Sequence, residues 1–227
     1  MLVALLPSSD RGQLLQHSEL VELPVTTALG SPLDCVDHAY FPIDCFVSVV
    51  LPVAGAADIE IALVGNEGMF NIDTVFGARS SCFGARVMGA GRALKIHKNA
   101  LRMRRAEDAL LRQLLFRYMD VRACQTAQKA ACMTRHTVEQ RLARTLLMLR
   151  DRSFSTELFL THELLAVMLG VRRESVSQAA RSFQNRGLIS YGRGYLVLLE
   201  EQLLERATCS CYQCDLETYA RAFQPEV

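Results

Sequence analysis

Apolar and polar positions follow two different rhythms on either side of residue 98. Before it, short apolar runs are punctuated by Gly30, Pro32, Pro42, Pro52, Gly55, Gly65, Gly68, Gly77, Gly84, Gly89 and Gly91, which leaves little room for helices. Runs of strand composition lie between these turn formers at 20–25, 46–53, 59–64, 85–88 and 93–96. Within one of them Ile59, Ile61 and Leu63 alternate with Glu60 and Ala62, the period of a half-buried strand. Many short strands at this spacing predict an antiparallel barrel or sandwich. After Lys98 no glycine or proline occurs until Gly170, and Leu, Ala, Arg, Gln and Met predict helix. From Leu111 the positions Leu111, Leu114, Tyr118, Val121, Gln125, Gln128 and Cys132 recur at alternating spacings of three and four. That heptad seam predicts a dimer helix. Leu110 and Leu115 widen the stripe, as expected instead of a helix packed on its own sheet. A second helix is expected over 137–150, with Val138, Leu142, Leu146 and Leu149 on one face.

The segment from Leu160 carries the clearest local signal. Thr161 is a natural N-cap with Glu163 in the first turn, an apolar stripe follows, and Gly170 suits a left-handed helix end. The next helix places Val176, Ala179, Ala180 and Phe183 on one face and Arg173, Glu174, Ser177, Gln178 and Arg181 on the other. Two strands, 188–191 and 195–199, joined by Gly192-Arg193-Gly194, complete a winged helix-turn-helix. Arginine can pair with guanine, Glu174 can accept from cytosine N4, and Gln178 can take adenine.

Charge sharpens this picture. The whole chain of 227 residues carries only +1, so bulk charge predicts no polyelectrolyte attraction, yet residues 172–194 hold five arginines against one acid. That local excess is the footprint a phosphate backbone requires. No apolar stretch approaches the length of a spanning helix, and residues 1–6 are too short for a signal core. Cys35, Cys45, Cys82, Cys124 and Cys132 are scattered singly among apolar neighbours, as reduced core thiols are. A cytoplasmic protein with no membrane partner is expected.

Gly170-Val171-Arg172-Arg173-Glu174-Ser175-Val176, followed by Gly187-Leu188-Ile189 and the Gly192-Arg193-Gly194 wing, resembles the winged helix of the Crp/Fnr superfamily of transcriptional regulators. Tyr40-Phe41-Pro42, Glu60-Ile61-Ala62-Leu63-Val64-Gly65 and Glu67-Gly68-Met69 resemble its jelly-roll sensor, and 136–143 its inter-domain helix. The resemblance implies an α+β fold: an antiparallel β-roll over 1–105, a dimerisation helix over 106–135 using Leu111, Leu114, Tyr118, Val121 and Gln125, and a winged helix-turn-helix over 136–227. It implies a homodimer acting as activator or repressor on a pseudo-palindromic operator, with double-stranded DNA and RNA polymerase as partners. Arg172, Arg173, Glu174, Ser177, Gln178, Arg181 and Arg193 are the expected DNA contacts. Gln178 stands where well-known members read a base with arginine, and Arg172 where Ser or Thr usually caps the helix.

The sensor pocket departs further. Ile72 falls about where family nucleotide binders hold the ribose with a glutamate, and Cys82 about where an arginine meets the phosphate. A neutral pair leaves a desolvated phosphodiester without a partner. Asp73 and Arg79 are the substitutes a register shift would supply, but the expected effector is not a cyclic nucleotide, and its identity is unknown. An iron-sulfur cluster is not expected, since the first 34 residues hold no cysteine, and His38 or His97 as a haem ligand is a remote reading. Cys209-Ser210-Cys211-Tyr212-Gln213-Cys214 brings three thiols together, one ligand short of structural zinc, with no His or Cys following. Helix-terminal packing is the leading reading there, metal binding and redox sensing the alternatives, and no metal site is assigned. Nucleotide-loop, Gly-x-Ser-x-Gly and His-Glu-x-x-His motifs are absent, Asp58, Glu60 and Glu67 are expected to be exposed strand and turn acids, and no catalytic residue is assigned. The alternative function is a cupin-like small-molecule-binding protein or enzyme whose winged helix binds protein.

Overall fold

The computed structural model describes residues 1–153 and 155–224. The chain forms two compact units, Met1–Pro52 with Ala62–Ala123, and Val53–Ile61 with Cys124–Val227.

The first unit begins with a 3-10 turn, Leu2–Leu5, and a helix α1, Ser8–Gln16. The glycine-rich pattern did not announce these. They form because Leu2, Val3 and Leu14 find apolar cover. Two sheets follow. One has the order β1-β7-β3, from β1 (Ser18–Leu23), β3 (His38–Pro42) and β7 (Gly91–His97), paired antiparallel. The other has the order β2-β6-β4-β5, from β2 (Ala28–Gly30), β4 (Phe46–Leu51), β5 (Ile59–Val64) and β6 (Gly84–Gly89). Ala39, Phe41, Val47, Val49, Val87, Ala93 and Ile96 bury their side chains in this antiparallel roll. Strand β5 does not follow its apparent alternation: Glu60 is 1% exposed while Ile59 and Ile61 are only half-buried. Within the second unit the Glu60 carboxylate accepts from Lys129 Nζ at 2.6 Å, which makes that burial tolerable.

A short helix α2 (Ile72–Val75) precedes β6, and α3 (Lys98–Glu107) follows β7. The expected continuous helix after Lys98 is broken at Asp108, whose backbone is extended and whose carboxylate accepts from Leu111 N at 2.9 Å. A capping aspartate there starts α4 (Ala109–Arg135) instead of prolonging α3.

The second unit contains the last part of α4, then α5 (Val138–Ser153), β8 (Glu157–Phe159), α6 (His162–Leu169), α7 (Arg173–Asn185), β9 (Ile189–Gly192), β10 (Tyr195–Leu198), α8 (Glu201–Ala207) and α9 (Cys211–Phe223). Leu142, Leu146 and Leu149 of α5 pack with Leu165, Met168, Val176, Phe183, Leu196 and Leu204, all at most 2% exposed. Each such side chain contributes on the order of 2 kcal/mol relative to exposure. The wing is a three-stranded sheet in the order β8-β10-β9, so the strand at 157–159 joins the two expected from sequence. No described helix is long and apolar enough to cross a membrane.

Candidate functional site

Thr161 Oγ1 accepts from Leu164 N at 3.2 Å and opens α6. Gly170 closes it in the left-handed region, φ 60° and ψ 43°, which a side chain would strain. A Cβ there would also collide with the Met133 methyl of α4, so that methyl covers the turn. Arg172 then occupies the N-cap of α7 with no side-chain cap bond, leaving its guanidinium exposed to solvent.

Helix α7 divides cleanly. Val176, Ala179, Ala180 and Phe183 are at most 3% exposed, whereas Arg173, Glu174, Ser177, Gln178 and Arg181 line an open concavity on the other side. Two of these residues are engaged from below. Arg173 Nε meets Glu163 Oε1 at 2.9 Å, an exposed pair worth little in water. Ser177 Oγ lies 3.1 Å from Arg173 O and 2.9 Å from His162 Nδ1. The consistent arrangement has His162 Nδ1–H donating to Ser177 and the hydroxyl donating to the carbonyl. His162 Nε2 is then a bare, buried nitrogen with no partner among the described residues. Burial holds the imidazole below its usual value of 6.5, and the Arg173 guanidinium adds to this. The ring stacks on Tyr191 of β9 at 4.7 Å, and Tyr191 Oη donates to Leu160 O at 2.8 Å. Ser177 therefore seats α7 against α6 and the wing. Its sequence gives no hint of this.

The wing tip differs from the three-residue Gly-Arg-Gly loop expected. Gly192 pairs with Tyr195, so the loop is Arg193-Gly194 alone, with φ of 52° and 85°. Positive φ at both positions is the two-residue turn that matches strand twist, and it holds an exposed arginine in a conformation L-residues avoid.

The residues expected in the dimer seam differ in burial. Leu111, Tyr118 and Val121 are 1%, 2% and 1% exposed, buried within the chain itself, and Tyr118 Oη donates to Met69 O at 3.1 Å. Leu114 and Gln125 are half-buried. The heptad stripe is the core-facing stripe at its apolar positions, because Leu115 broadens it beyond a two-position seam. The exposed residues of α4 are others, among them Gln113, Phe116, Asp120, Ala123, Cys124 and Ala127.

The sensor residues are also placed. Asn71, left-handed at φ 69°, precedes α2 and donates Nδ2 to His38 O at 2.9 Å. Ile72 and Asp73 are half-exposed in α2, and Arg79 and Cys82 are exposed after it. Arg102 of α3 donates Nε to Thr74 O at 2.8 Å and so closes the end of α2. His38 and His97 meet edge to face at 5.4 Å.

A family model for the Crp-like helix-turn-helix domain matches residues 140–207. The CRP-like cAMP-activated global transcriptional regulator of Mycobacterium tuberculosis is 28% identical over 179 residues, 75% of this chain and 80% of that protein. Two solved structures share the fold. The c-di-GMP responsive global regulator CLP of Xanthomonas campestris aligns with a TM-score of 0.70 at 19% identity, over 85% of this chain and 99% of its own. FixK2 of Bradyrhizobium japonicum aligns with a TM-score of 0.72 at 15% identity, over 85% and 98%. With its helix-turn-helix matched by that model and the architecture of these proteins repeated over most of its length, the chain carries a Crp-like helix-turn-helix domain and is similar to transcriptional regulators of the Crp/Fnr superfamily.

Proposed function

We propose that the chain acts as a homodimer that reads a pseudo-palindromic operator by laying one α7 in the major groove of each half-site. The observation that carries this is the face of α7: Arg173, Glu174, Gln178 and Arg181 stand together, solvent-facing, over a fully buried opposite face. Arg173, Glu174 and Gln178 are the base readers in this reading, Arg172, Arg181 and Arg193 the phosphate contacts, and Ser177 a residue that positions the helix. Arg173 exchanges Glu163 for DNA at little cost, since both side chains are 63% exposed. The working division keeps a β-roll sensor over 1–105, the dimer helix over 106–135 and the DNA-binding domain over 136–227. The dimer then uses the exposed residues of α4, because those already buried are committed to their own core.

The M. tuberculosis relative is described as cAMP-activated, and the X. campestris regulator as c-di-GMP responsive. The neutral Ile72 and Cys82 at the nucleotide-binding positions support an effector of another kind, with no iron-sulfur cluster. Where the chain acts as an activator, RNA polymerase is its downstream partner.

Selection of binding sites from random duplex DNA at two salt concentrations tests the reading. A two-fold motif with half-sites about ten base pairs apart is expected. Uniform, strongly salt-dependent binding with no enriched motif, in the presence and absence of cell extract, would refute sequence-specific recognition.

A further inference from the structure

The C-terminal thiols find their missing partners far back in the chain. Cys132 in the last turn of α4 and His136 just past its end meet Cys209 and Cys211 at the junction of α8 and α9. Cys132 Sγ is 3.5 Å from Cys209 Sγ, and Cys211 Sγ is 3.5 Å from His136 Nδ1. All four donor atoms lie within 4.8 Å of one another. A tetrahedral ion with arms of about 2.3 Å to sulfur and about 2.0 Å to nitrogen needs edges of about 3.5 to 3.8 Å. The pairs just given already match this, and the remainder close by side-chain adjustments of about an ångström.

The surroundings enclose the cluster. The three cysteines are at most 5% exposed and His136 is half-buried. Gln128 Nε2 donates to Cys211 Sγ at 2.8 Å, an outer contact of the kind that orients a ligand. The buried Arg144–Asp215 ion pair stands close by, its two charges balanced. The loop is held on its far side as well: Tyr212 Oη donates to Asp151 at 2.8 Å and accepts from Arg150 at 3.0 Å. Cys214, the third thiol of the sequence cluster, lies outside this set.

We propose that Cys132, His136, Cys209 and Cys211 form a closed Cys3His site for a divalent ion of the zinc class, which fastens the C-terminal helices to the end of α4. Soft thiolates with one imidazole in tetrahedral array select this ion over the oxygen-seeking Mg²⁺ and Ca²⁺. Binding displaces up to three thiol protons to solvent and transfers no electrons, so affinity falls in acid. Residue 133 lies next to one ligand, and its methyl covers Gly170, so the ion also steadies the floor of the helix-turn-helix. The assignment stands independently of the operator reading.

The test uses the full chain purified under reducing, chelator-free conditions. Elemental analysis should find one zinc per chain. Anaerobic exchange for Co²⁺ should give thiolate-to-cobalt charge-transfer bands and the intense ligand-field bands of tetrahedral coordination. Those bands should be lost in His136→Ala and Cys211→Ser, unchanged in Cys214→Ser and Cys124→Ser, and retained with stronger charge transfer in His136→Cys, which needs no loss of fold to be read. Metal-free wild-type protein that gives only weak, octahedral cobalt bands would overturn the site. So would tetrahedral bands that survive loss of His136 and Cys211, or a Cys132–Cys209 disulfide in place of metal in protein isolated without oxidant.

Discussion

Arg144 and Asp215 show how a single buried pair sets a residue's sensitivity. Both are 5% exposed, and Arg144 Nε donates to the Asp215 carboxylate at 3.1 Å, so removing the acid strands a charge in low dielectric. Asp215→Asn should lower unfolding free energy by about 3 kcal/mol or more in urea titrations. A loss below about 1 kcal/mol would mean that water reaches the pair. His162 gives a pH signature of opposite character. Its folded-state value is depressed below 6.5, so the neutral form is favoured by folding. The stability it contributes is complete above 6.5 and is lost as pH falls from there through the lower folded value. Urea midpoints should therefore drop on acidification below 6.5, and drop less in His162→Gln, which keeps a donor for Ser177. Equal acid dependence in the two proteins would remove His162 from this role.

At the scale of elements, the wing and α7 divide the work of contacting DNA. Arg193 holds a left-handed conformation that costs an L-residue on the order of 1 kcal/mol. Arg193→Gly should raise stability by up to about that amount while weakening all duplexes alike and reducing the salt slope by about one. Glu174→Ala should instead relax base preference at one operator position, costing about 1 to 3 kcal/mol of discrimination with the salt slope unchanged. Parallel titrations of specific and random duplexes separate the two effects, and equal losses in Glu174→Ala would remove its base-reading role. The helix-turn-helix was legible because its cues are local: Thr161 caps, Gly170 terminates, and the apolar face of α7 repeats at helical period. The wing was legible in position but not in turn length, since register depends on pairing with Tyr195.

For the whole molecule, α4 is where local pattern and global placement part. Leu111→Ala should cost about 2 to 5 kcal/mol in stability and leave the oligomeric state unchanged, because Leu111 is 1% exposed within the chain itself. Ala127→Glu, on the exposed side, should shift sedimentation toward monomer with little change in the unfolding of that monomer. The reverse pattern would restore the seam read from the heptads.

The sequence by itself determined the α+β class, the recognition helix with its exposed arginines, and the resemblance to the Crp/Fnr superfamily, because capping, periodicity and turn chemistry act within a few residues. Tertiary structure alone decided the rest. A heptad looks the same whether it faces a second chain or its own sheet, and only the burial of Leu111, Tyr118 and Val121 distinguishes the two. Glu60 alternates as a surface acid would, yet Lys129 makes it a buried one. The thiols at 209 and 211 lacked ligands only in the direction that follows them, and the fold supplies Cys132 and His136 from a distant helix. Contacts between remote segments depend on how whole elements pack, and spacing along the chain carries no record of that.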